Sequence, residues 1–66
     1  MELMLNKTEH NYSLALELAE VTELLEIVNT KLNLTEDEDL IESLIYEELS
    51  LKARYRHILK EARQKK

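Results

Sequence analysis

The sequence predicts an all-α fold: an antiparallel hairpin of two long helices, two copies of which pair into a four-helix bundle. Three observations carry this expectation. Glycine and proline are both absent from the 66 residues, which removes the residues that normally supply tight turns, strand bulges and phosphate-cradling loops. Two stretches repeat apolar residues at helical spacing, with only a few polar residues between them. A chain this short buries only about 60% of the surface it would expose unfolded, and without cysteine it has no disulfide or thiolate–zinc site to compensate. Association with another chain is the remaining source of burial.

The chain reads as one domain over residues 1–66, with a first helix over about 8–32, a turn at 33–35 and a second helix over about 36–64. In the first helix, Leu14, Leu18, Val21, Leu25, Val28 and Leu32 alternate steps of four and three, the coiled-coil heptad pattern that holds one seam against a partner helix. Thr8 and Ser13 are both candidate caps for its start, and Asn33 marks its end as a residue that tolerates the left-handed conformation. Thr35-Glu36-Asp37-Glu38 has the form of a capping box, with Thr35 as the cap of the second helix. That helix carries the stripe Leu40, Ile41, Leu44, Leu51, Tyr55, Ile58, Leu59 and Ala62. A connection this short returns the second helix antiparallel to the first.

Each helix also carries apolar residues away from its main seam. On the first these are Tyr12, Leu16, Ala19 and Ile27; on the second, Ile45, Tyr46, Leu49 and Ala53. One hairpin has one internal seam, so these residues are expected to meet another protein surface, either a second copy or a different protein partner.

The net charge of -5 conceals an asymmetry: residues 1–51 carry thirteen acidic and two basic side chains, whereas residues 52–66 carry seven basic and one acidic. Lys52, Arg56, Lys60 and Arg63 follow one another along one strip of the second helix and are candidate contacts for an anionic ligand or acidic partner. The alternative reading is helix electrostatics, since Glu36, Asp37, Glu38, Asp39 and Glu42 crowd the positive end of the same helix and the cations its negative end. Glu48 and Lys52 form a favourable pair four residues apart. A nucleic-acid role through the basic end, Lys65 and Lys66 included, is the alternative function, disfavoured by the acidic chain as a whole.

No catalytic, cofactor, metal or small-molecule site emerges. His10 and His57 are the two histidines, and no Glu-x-x-His of the kind that builds metal centres in helical bundles occurs. Glu17, Glu20, Glu23 and Glu26 step by three and so precess around the helix instead of converging. No serine has a neighbouring base at helical spacing, and a two-helix protein offers little concavity to desolvate reacting groups. A phosphatase-like hairpin acting on a phosphorylated partner lacks the clustered acid or amide group it would need. The amino terminus has no signal-peptide pattern and no stretch approaches the roughly 20 apolar residues of a membrane span, so a soluble cytoplasmic protein is expected.

The run DEDLIESLIYEELSLKARYRHILKEAR, from Asp37 to Arg63, resembles the small uncharacterised YaaL-like bacterial family. Asp39, Leu40, Ile41, Ile45, Tyr46, Arg54, Tyr55, Leu59, Ala62 and Arg63 stand at the matching positions. The chain departs from that pattern in its acidic opening and in having His57 where an aromatic is common. The resemblance implies a short soluble helical protein of unknown function and brings no catalytic residues. It does pick out Tyr46 and Arg54, which lie off the internal seam and are expected to anchor the second protein surface, tyrosine and arginine being typical anchors.

Overall fold

The computed structural model describes the backbone of residues 7–64 and the side chains of residues 13–64. It is an all-α hairpin of two helices, α1 over Lys7–Leu34 and α2 over Glu38–Gln64, packed against each other. The molecule measures 48 × 23 × 16 Å, so it is one layer of helices thick.

Heptad spacing decides what is buried. Leu14, Val21 and Val28 of α1 and Leu44, Leu51 and Ile58 of α2 form the core, each set seven residues apart, which returns a side chain to the same face after two turns. The turn around Glu36 sets Leu14 level with Ile58, Val21 with Leu51, and Val28 with Leu44. Leu18, Leu24, Leu25, Leu32 and Tyr55 are partly buried and pack against this core. Six buried side chains at up to about 1.5–3 kcal/mol each make a small core.

Several boundaries and positions differ from the sequence reading. Described α1 runs through both Thr8 and Ser13 and continues past Asn33 to Leu34, and among the described residues none takes a positive φ. The helix therefore ends without a left-handed cap. The connector is residues 35–37, and Asp37, not Thr35, caps α2: its Oδ1 accepts the Leu40 amide at 3.0 Å, while its carbonyl accepts the Ile41 amide at 2.9 Å. An anionic cap satisfies an orphan donor and also faces the positive end of the helix dipole, which a threonine cannot match. Within the α2 stripe, Leu40 is 48% exposed and Ala62 is exposed. The seam position between Leu44 and Leu51 belongs to half-buried Glu48.

Candidate functional site

Two right-handed helices running in opposite directions place residues at equal sequence offsets from their seams on the same side of the hairpin. Four residues beyond the buried positions, α1 presents Leu18, Leu25 and Leu32, and α2 presents Glu48, Tyr55 and Ala62, with Ile41 two turns before Glu48 on the same side. Three residues beyond them, on the opposite side, α1 presents Glu17, Leu24 and Lys31, and α2 presents Glu47, Arg54 and Glu61, with Leu40 two turns before Glu47. One shoulder of the seam is thus apolar along its length and the other largely charged. Ile45 and the half-buried Leu59 extend the apolar shoulder across α2.

Among the positions flanking the seam on that shoulder, Glu48 is the charged one. Its carboxylate meets the Lys52 ammonium one turn on, at 3.7 Å.

The structure divides the expected interface residues. Leu16 (55% exposed) and Ala19 lie on the back of α1, and Tyr46 (63% exposed), Leu49 and Ala53 lie on the back of α2. These backs face away from each other, so they do not join into one surface. Ile27 lies toward the charged side and Arg54 on the charged shoulder, whereas Ile45 borders the apolar shoulder. The Tyr12 side chain lies outside the described residues. Near the tip, on the charged side, Leu34 (79% exposed) and Leu40 flank the acidic connector beside Leu24 and Ile27. The exposure of this tip pair was not legible from the stripe alone.

Lys52, Arg56, Lys60 and Arg63 are all exposed. Arg56, Lys60 and Arg63 lie on the back of α2, while Lys52 is turned toward the apolar shoulder and paired to Glu48. Lys65 and Lys66 lie outside the described residues. His57 is exposed, with Nε2 3.8 Å from Glu61 on its own helix, and the His10 side chain lies outside the described residues. Among the described residues no three histidine or carboxylate groups are placed to hold a metal ion, and no helix is long and apolar enough to cross a membrane. A surface depression of about 450 Å³ is lined by Glu23, Glu26, Ile27, Thr30 and Lys31. All five come from α1, so it is a feature of one helix surface and not a cleft between elements. Comparison with protein-family models, curated proteins and solved structures finds no match to the chain.

Proposed function

We propose that this chain is a non-catalytic protein-interaction module that self-associates, two hairpins pairing through their apolar shoulders into a four-helix bundle. The observation that supports this most directly is the difference between the two shoulders of the seam. Leu18, Leu25, Leu32, Ile41 and Tyr55 are only partly buried within the hairpin, whereas the corresponding positions on the other side are mostly charged. In a four-helix bundle each helix turns a broad apolar stripe toward the centre and its charged residues outward. The apolar shoulder together with the seam has that width. The resemblance to small helical bacterial proteins is compatible with this reading and adds no activity.

Sedimentation equilibrium over a wide concentration range tests it. A reversible dimer whose association is lost in Ile45→Glu, with helicity retained, is the expected result. A folded monomer at every concentration would overturn self-association and assign the shoulder to a different protein.

A further inference from the structure

We infer that the second copy docks tip to tail, with the two α2 helices antiparallel across a two-fold axis level with Ser50, so that Glu48 and Lys52 of one copy face Lys52 and Glu48 of the other. This rests on the self-association proposed above and specifies its geometry.

Two identical hairpins laid face to face can close in two ways. If the two-fold axis runs along the helices, both tips lie at the same end. Glu36, Asp37, Glu38, Asp39 and Glu42 of one copy then crowd the same five carboxylates of the other. If the axis runs across the helices, the tips lie at opposite ends, and the acidic start of each α2 lies over the basic second half of the other. Complementary charge selects the second arrangement.

The docking side of α2 is also complementary to its own reverse. Read about Ser50, Glu48 falls opposite Lys52, Ile45 opposite Tyr55, and Ile41 opposite Leu59. Further out, Glu42 falls two residues from Arg56 on the same outer edge. At these positions acid meets base and apolar meets apolar, which is what a surface facing its own copy across a two-fold axis requires. The opposite side of α2 lacks this property: the same reversal sets Asp39 against Glu61.

α1 fits the same arrangement. The side it shares with the apolar shoulder carries Leu18, Thr22, Leu25 and Asn29, whereas Glu17, Glu20 and Glu23 point elsewhere. α1 can therefore approach its own copy without opposing those carboxylates. Thr22, level with Ser50, donates its hydroxyl to the Leu18 carbonyl at 2.8 Å, so its proton needs no partner across the interface. Glu48 then has a specific role. A charged residue at a seam position is tolerated where a cation meets it, and it penalises registers that leave it alone.

The test uses two single variants of the full chain. Glu48→Lys gives each copy two lysines at the axis, and Lys52→Glu two glutamates, so each should repel its own copy and complement the other. Each variant alone is expected to dimerise about tenfold or more weakly than the wild type, with helicity unchanged by circular dichroism. A one-to-one mixture is expected to recover association as a heterodimer. This recovery cannot come from repair within one helix, because each variant carries like charges at both positions.

Wild-type dimers whose variants associate normally and mix at random would overturn the tip-to-tail geometry while leaving self-association standing. A monomeric wild type would overturn both. As a second measurement, Thr22→Cys introduces the sole thiol in a chain without cysteine, and mild oxidation should link two copies at the axis. Failure of Thr22→Cys to link the copies of a chain that still dimerises would overturn the proposal.

Discussion

The Asp37 carboxylate and the Leu40 amide, 3.0 Å apart, fix where α2 begins. Loss of an aspartate cap costs about 0.5–2 kcal/mol, so Asp37→Ala should lower stability by that amount and Thr35→Ala by less. Urea denaturation followed by circular dichroism checks the order. If Thr35→Ala proved the costlier change, the cap would belong to Thr35 after all.

Core truncations should separate sharply from surface ones. Leu51, 6% exposed at the middle of the seam, should lose about 2–5 kcal/mol on change to alanine. A chain of this length has only about 3–10 kcal/mol in total, so Leu51→Ala should remove a large share of its stability. Leu16→Ala on the back of α1 should shift stability by no more than about 0.5 kcal/mol. Similar losses at both positions would contradict the seam described above.

Ile45 and Tyr46 are consecutive, exposed and apolar, yet they lie on different sides of α2. Ile45→Glu should abolish self-association with helicity intact, whereas Tyr46→Ala and Arg54→Ala should leave the dimer within about threefold of the wild type. Sedimentation equilibrium reads both. The reverse pattern would move the interface to the back of α2, where Tyr46 was expected to act as an anchor.

The basic second half of α2 should not make this protein a nucleic-acid binder. With a net charge of -5 and Lys52 already paired to Glu48, no saturable binding to a labelled DNA duplex is expected even at low salt. Fluorescence anisotropy checks this. Binding that weakened steeply with added salt would establish the alternative function.

The hairpin was legible because its determinants are periodic. Seven-residue spacing in Leu14, Val21 and Val28, and again in Leu44, Leu51 and Ile58, identifies the seam without coordinates. Its ends were less legible, because Thr35 and Asp37 are both competent caps and only the local backbone path chooses between them. The interaction surface was harder still. Collecting apolar residues helix by helix groups Leu16 with Tyr46, although the hairpin turns them in opposite directions. Chain direction and helix handedness settle which flanks share a side, and that relation emerges only when both helices are considered together. Glu48 escaped the apolar stripe for a simpler reason: a pattern of hydrophobic residues skips the one seam position filled by a charge.

The three-residue connector has a mechanical consequence. Among the described residues the backbone hydrogen bond lying outside the helical ladders, from the Ile41 amide to the Asp37 carbonyl, stays at the start of α2, and none joins α1 to α2. The two rods can therefore swing apart like tongs, parting side chains while every peptide group keeps its partner. Amide exchange would scarcely register such opening. A probe of side-chain neighbours, such as methyl contacts between Val21 and Leu51, would report it at once.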